Sequence, residues 1–420
     1  MRTGTGLATV DVHTMFDLRP QHSTRLDLGG ASCGLPAGPA HVELVTTLDG
    51  LERLKPDYDR LNRSTGNRLP FALHDWHVAW WKHFAARSEW VQDSLAIYVV
   101  RDRLDQCLAL VPFVATDRFF GPLRLRTMSM LGPDPYISEF RGPLVHPGCE
   151  VEVVRLLRGR LAADGQWDWI LWSGARGPFA EALAADGQVE WRDGSIDYLL
   201  ELPSTWDAFR AGLKRNIRES VRHCYNSLKR DGLQFELEVA WRPADVSVAL
   251  EDFFALHAMR AHLTETIPHP DRFKSLKTKD FLREVCLRLA ARGVTRIFLL
   301  KIRSKVVAVR IGFVVGQSLY LYFSGYDPEW RKYSVMTTTV AEAIKYAIAE
   351  KLTTVSLSAG TDVSKTRWGA TPVVSSEALE CRRALRSQIA HKAYRHAIEW
   401  KGRTGPAMAA VLELIPKRAW

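Results

Sequence analysis

TRIFLLKIRSKVVAVRIGFVVGQSLYLYFSGY, Thr295 to Tyr326, holds three apolar runs separated only by RSK and GQ. Turns this short leave no room for a crossover helix, so the runs are expected as neighbouring antiparallel strands. Downstream, VMTTTVAEAIKYAIAEK reads as a helix and TTVSLS as a further strand, which leaves through SAGTDVSKTRWG, Ser358 to Gly369. Upstream lie SIDYLLELP as a strand, TWDAFRAGLKRNIRESVRHCYNSLKRDG as one helix, LQFELEVAW as a strand, and two helical segments, PADVSVALEDFFALHAMRAHL and DFLREVCLRLAARG.

The first half of the chain follows a similar plan. HVELVT reads as a strand and LDGLERLKPDYDRLNRS as one helix in spite of Pro56. In LHDWHVAWWKHFAAR, Trp76, Trp80 and Phe84 recur at helical spacing as a buried stripe. SLAIYVVR and QCLALVPFVAT form a hairpin around DRLD, followed by the strand LRLRTMSMLG, the helix EVEVVRLLRGRLAAD and the strand WDWILW. The class expected is α+β, with two tandem units whose mixed, largely antiparallel sheets are flanked by helices. The division is a Gly/Pro/Ala-rich leader at 1–39, units at 40–193 and 194–385, and a basic helical tail at 386–420.

The composition of the 420 residues, 46% hydrophobic and 25% charged, is that of a globular protein. Six scattered cysteines without a C-x-x-C pair argue against a zinc ribbon or a disulfide framework and for a reducing compartment. The N-terminal stretch is broken by Asp, His and Arg, so it lacks a signal peptide's apolar core. A cytoplasmic protein is expected, at most touching the inner face of an anionic membrane. The net charge of +10 calls for anionic partners. No finger, zipper or RNA-binding sheet signature is present, which excludes sequence-specific nucleic-acid binding as the first reading.

Two stretches place cations where an anion would relieve them. Leu213, Ile217, Val221, Cys224 and Leu228 form an apolar helical seam, while Lys214, Arg218 and Arg222 stack at i, i+4, i+8 on another face. Like charges at that spacing repel; the face is either solvated or turned to an anion. In GYDPEWRKYSVMTTT a strand ends at Tyr326 and a helix starts after Ser334, beside Arg331 and Lys332. A helix start of this kind suits a phosphate, and also an ordinary cap.

The series AVRIGFVV, YFSGYDPEW, KYS before a helix, and SAGTDVSKTRWGA, together with the basic helix and FFALHAMRA, resembles the GNAT-type acyltransferases. It is most similar to the CelD-like branch of cellulose and exopolysaccharide biosynthesis, a branch related to the Fem-type aminoacyltransferases. The resemblance covers Ser195 to Thr371; SEFRGPLV in the first half resembles a Fem-type segment. It implies acetyl-CoA or a longer acyl-CoA as co-substrate, with no metal. The donor pyrophosphate would lie on Arg331, Lys332, Tyr333, Ser334, Val335 and Met336, although the small residues of the family's loop read Ser334 and Met336 here. An acidic residue of the next strand is also missing, with Ser356 and Ser358 in its place.

Lys365 takes the position of a lysine beside the donor cleft, suited to steadying a developing oxyanion, with Trp368 packed next to it; a salt-bridged structural lysine has the same signature. His257 and Glu139 are the candidates for proton removal, His257 also suiting a core histidine and Glu139 a solvent-facing loop. Arg218, Arg222, Tyr326 and Trp368 are expected to bind substrate, with Arg218 and Arg222 facing an anionic acceptor or the CoA nucleotide. His74 and His77 in HDWH lack a third metal ligand. The function the resemblance implies is N- or O-acyl transfer to a sugar, lipid-linked or peptide acceptor in envelope or exopolysaccharide biosynthesis. The alternatives are a Fem-like enzyme using charged tRNA and a non-catalytic partner in polysaccharide assembly.

Overall fold

A computed structural model describes residues 40–401, apart from 122, 135, 186 and 264–268. The leader 1–39 and the end of the basic tail lie outside the described residues. In chain order the strands are β1 (His41–Val45), β2 (Val91–Arg101), β3 (Cys107–Phe120), β4 (Leu123–Met130), β5 (Leu144–Val145), β6 (Trp169–Ala175), β7 (Val189–Arg192), β8 (Ile196–Glu201), β9 (Phe235–Ala240), β10 (Thr295–Ile302), β11 (Lys305–Val315), β12 (Ser318–Tyr326), β13 (Thr354–Ala359), β14 (Thr371–Val374) and β15 (Ser376–Cys381). The helices are α1 (Leu48–Arg53), α2 (Lys55–Ser64), α3 (His74–Phe84), α4 (Glu150–Asp164), α5 (Gly177–Ala184), α6 (Trp206–Gly212), α7 (Arg215–Arg230), α8 (Pro243–Ala261), α9 (Leu276–Ala291), α10 (Val335–Ala349), α11 (Val363–Thr366) and α12 (Leu385–Lys401).

Two mixed sheets result, and they share one plan. The first runs β1-β2-β3-β4-β6-β15-β7 with β5 on β3, and the second β9-β10-β11-β12-β13-β8-β14. In each, four strands pair antiparallel in sequence order, a helix intervenes, and the next strand pairs parallel: β4 with β6, β12 with β13. The three runs from Thr295 to Tyr326 are antiparallel neighbours, as their short turns require. The DRLD hairpin also forms, with Asp102 Oδ1 accepting from the amides of Leu104 and Gln106 at 2.9 Å each.

The position beyond each parallel pair is filled by exchange. β15 pairs with β6 and β7 in the first sheet, and β8 with β13 and β14 in the second. The division at 193/194 and 385 therefore does not follow the sheets, because Ser376–Cys381 returns to the first. The two crossings, between β7 and β8 and between β14 and β15, touch where Ser375 N donates to Ser195 O at 2.9 Å. A Cβ at Gly194 would stand 1.5 Å from Ser375 O, so only glycine fits there.

Two helices read as continuous are broken. Leu54 separates α1 from α2, with Pro56 in the first turn of α2, where its missing N–H costs nothing. Beyond Gly212, Leu213 is extended and Lys214 starts α7 as its N-cap, so the basic helix is shorter than its pattern. Cys107, Cys224 and Cys286 are buried free thiols, and Cys381 is a half-buried one. The stripe of α3 does enter the core, and it does so against the other half of the chain. Trp76 packs edge-on to Phe281 of α9 and Phe313 of β11 at 5.4 and 6.0 Å. His74 and His77 are structural, held by Leu51 O and Tyr58 Oη at 3.0 and 2.9 Å.

Gly194→Ala is expected to lower stability by about 3 kcal/mol, because backbone and not a flexible side chain must move. Gly159→Ala on α4, with nothing within 4 Å of the new Cβ, should instead add about 0.5–1 kcal/mol. Urea midpoints of the two variants check this.

Candidate active site

β12 and β13 pair over Ser318↔Thr354, Leu319↔Val355 and Tyr320↔Ser356, and no further. Beyond that point the strands part, and a cavity of about 450 Å³ opens between them. The divergence has local causes. β11 and β12 slip register between Arg310 and Gly312, and β13 bulges against β8 between Ser356 and Ala359. Ser358 sits in the bulge at φ 68°, a left-handed value disfavoured for serine. Ser356 Oγ donates to the wholly buried Asp197 at 2.5 Å and accepts from Ser358 N at 3.2 Å, which fixes the bulge.

Into the parting reaches Glu139, from the loop after β4. Its Oε2 accepts from Tyr320 Oη on β12 and, at 3.1 Å, from Ala359 N on β13. One carboxylate thus bridges the two strands where their ladder has ended. The loop is rigid because Asp134 Oδ1 accepts from the amides of Tyr136, Ile137 and Ser138, while Trp80 Nε1 donates to its Oδ2. Trp76 Nε1 donates to Ser138 Oγ at 3.0 Å and Tyr322 Oη to Ile137 O at 2.6 Å. Burial pushes the Glu139 carboxyl above its ordinary range, against the pull of Tyr320 and Lys365.

Lys365, on α11, turns back into the cavity, its Nζ donating to Ala359 O and lying 3.5 Å from Asp362 Oδ2. Burial lowers its pKa, opposed by Glu139 and Asp362. From the opposite wall comes His257 of α8. This helix lies close on β12 because position 325 is glycine: a Cβ there would stand 2.3 Å from His257 N. His257 is buried, stacked on Phe253 and edge-on to Phe273 and Phe323. Nδ1 and Ser324 O lie 2.9 Å apart, and a carbonyl can only accept, so Nδ1 carries the proton. Nε2 is left as a lone pair with no hydrogen-bond partner among the described residues; Asp271 Oδ1 is 3.8 Å away. Burial holds the imidazole below its usual pKa, so it is neutral at pH 7.

Of the residues the sequence singled out, Glu139, His257, Met336, Lys365 and Trp368 line this one cavity. The others do not. Arg331 and Lys332 are exposed on the short turn Pro328–Tyr333. Tyr333 is buried and donates to Asp231 Oδ2 at 2.8 Å, and Val335 is in the core, so both are structural. Ser334 takes φ 51°, the left-handed value that favours a small flexible residue at this position of the family's loop, and α10 starts directly after it. Arg218 donates to Ala211 O and Leu213 O, closing the end of α6, and Arg222 is exposed on α7. Tyr326 lies under the Arg260 guanidinium, 5.8 Å from its ring centre, outside the cavity lining.

Sequence reasoning missed Arg260, His269, Arg310, Asp362 and Arg367, all of which line the cavity. The signal was present for Arg310, a charge inside the apolar run KVVAVRIGFVV. The matching gap between β4 and β6, past Ser129↔Leu171, is filled by the chain itself: a Cβ at Gly174 would meet Arg141 O at 2.0 Å. Among the described residues no group of three or more His, Cys, Asp and Glu is placed to hold a metal, and no helix is long and apolar enough to cross a membrane.

A mixed sheet that parts at a parallel strand pair, beside a helix start, defines the GNAT fold, and here the plan occurs twice. Residues 215–366 match the family described as acetyltransferase (GNAT) domain. Among solved structures, FemX is similar at 11% identity with a TM-score of 0.55, over 80% of this chain and 98% of that one. A tandem GNAT protein from the clavulanic acid biosynthesis pathway matches at 10% identity and TM-score 0.42, over 81% and 98% of the two chains. The C-terminal domain of a lysylphosphatidylglycerol synthetase from Agrobacterium fabrum, itself described as putative, matches at 11% and 0.47, over 83% and 96%. Among curated proteins none matches the sequence. The family match supports an acyltransferase.

The His257 geometry sets a pH dependence. Its folded pKa lies below the unfolded value near 6.5, so between those values the unfolded chain binds more protons and stability falls with falling pH. In His257→Gln this contribution is absent. Its stability, measured by urea titration from pH 7.5 to 5, should decline less steeply than that of the wild type.

Proposed function

We propose that the protein transfers an acyl group from a CoA thioester to an amine or hydroxyl, at the cavity between β12 and β13. The observation that carries this is the meeting there of a proton-free His257 Nε2 and a half-buried Lys365 on the lining of one parted strand pair. Parted strands leave backbone donors and acceptors without a ladder, which suits the extended amide chain of a pantetheine arm. The start of α10 offers amides to the donor phosphates, with Arg331 and Lys332 beside it. Met336 narrows this approach, since its side chain lines the cavity.

In the reaction the acceptor nitrogen or oxygen attacks the thioester carbonyl carbon. As that bond forms, its proton passes to His257 Nε2; when the C–S bond breaks, the sulfur leaves with the electron pair and takes up that proton, which returns His257 to its neutral form. Lys365 is close enough to the cavity wall to oppose the negative charge that grows on the carbonyl oxygen. Glu139 keeps the strands apart, and Ala359 O and Asp362 hold Lys365 in place. The acceptor class, a sugar, lipid-linked or peptide group in envelope or exopolysaccharide assembly, rests on the resemblance of SAGTDVSKTRWGA and its companions to the CelD-like branch.

Isothermal titration with acetyl-CoA and longer acyl-CoAs tests the donor. Micromolar binding is expected, weakened about tenfold in Arg331→Ala, the equivalent of one phosphate contact. Absence of binding to any CoA, with salt-sensitive binding of tRNA in its place, would move the assignment to aminoacyl transfer. Once an acceptor is found, His257→Ala should lower kcat by about 10²–10⁴ while leaving acetyl-CoA affinity unchanged.

A further inference from the structure

The cavity carries more positive charge than its own acids answer. Arg260, Arg272, Arg310, Lys365 and Arg367 line it, against Glu139 and Asp362. Both acids are engaged, Glu139 by Tyr320 and Ala359, Asp362 by Ser364 at 2.7 Å and Lys365. Arg272 is seated over the Tyr136 ring at 3.4 Å. None of the four guanidinium groups is paired with a carboxylate among the described residues. Arg260 donates to Ser324 Oγ and contacts His269 Nε2, both neutral. Arg367 donates to Ser220 Oγ and leaves its Nε unbonded. Arg310 Nε is buried with no partner.

Arg260 and Arg310 are also set against each other. Arg310 is the cross-strand partner of Ser324, whose hydroxyl holds Arg260. The fold thus places two like charges across one serine, at the register slip that widens the parting. Burial and the neighbouring Arg260 lower the Arg310 pKa to about 10, against the opposite pull of Glu139 and Asp362. A desolvated cation held in no ion pair is costly to keep, and such local destabilisation is characteristic of a binding site.

We propose that Arg260 and Arg310 clamp an anionic group of the acceptor, a carboxylate or phosphate, in this cavity. The proposal rests on the acyl-transfer reading above and names its acceptor as a negatively charged amine or alcohol. Arg367, which also lines the cavity, adds to the field.

Thermal melts of the full chain in sodium phosphate and in sodium succinate, each against sodium chloride at matched ionic strength, test it. Either anion should raise the wild-type Tm by several degrees, and the difference between the two identifies phosphate or carboxylate. More than half of the rise should vanish in Arg310→Met and in Arg260→Met, part should return in Arg310→Lys, and Arg103→Ala, a surface control, should keep all of it. Without added anion, Arg310→Met should melt at or above the wild type, since it removes an unanswered charge. No rise in the wild type, or a rise both variants keep, overturns the proposal. A lower unliganded Tm with an unchanged rise makes the arginine structural and overturns it too. A rise abolished by saturating acetyl-CoA assigns the clamp to donor phosphates instead. Acetyl-CoA titration of the same samples separates the two readings: binding without an anion response leaves acyl transfer and removes the anionic acceptor. An anion response without acetyl-CoA binding removes the donor, and the acceptor role with it.

Discussion

One carboxylate determines the geometry of the cavity. Two parallel strands that stop pairing would ordinarily close by side-chain packing or by continuing the ladder, because buried amides require partners. Glu139 prevents both by accepting from Tyr320 on one strand and Ala359 on the other. Its own loop is tied by Asp134, Trp76, Trp80 and Tyr322, so the wedge does not yield. The carboxylate at the edge of β13 is thus supplied by the other half of the chain.

That wedge gives the two halves unequal roles. The first sheet repeats the parted strand pair, but Arg141 and its neighbours fill the gap, and the sheet serves as a mount for Glu139. The second keeps its gap open and lines it with His257, Lys365 and the unanswered arginines. The same strand plan thus serves as a mount in one sheet and frames a cavity in the other.

Much of this was legible in local pattern. The two-residue turns of Thr295–Tyr326 compelled antiparallel neighbours, and the Trp76–Trp80–Phe84 stripe compelled burial. His257 and Lys365 could be singled out because their segments carry chemistry in compact motifs. What stayed hidden was long-range. Nothing near Glu139 shows that Ala359 lies above it, and nothing near Arg310 shows that Ser324 brings Arg260 beside it. Arg218 and Tyr333 looked functional by spacing, yet their polar atoms are spent on Leu213 O and Asp231. The helix breaks at Leu54 and Leu213 were missed because apolar periodicity runs through them unchanged.

The exchanged strands also bear on how the chain is made. Ser173 must wait for Glu377, 204 residues later, before β6 gains its second neighbour. At ribosomal speeds of about 5–20 residues per second, that edge stays bare for roughly 10–40 s. During synthesis the first half is therefore a sheet with an open apolar flank, exposed to chaperones and to other nascent chains until the last strand arrives.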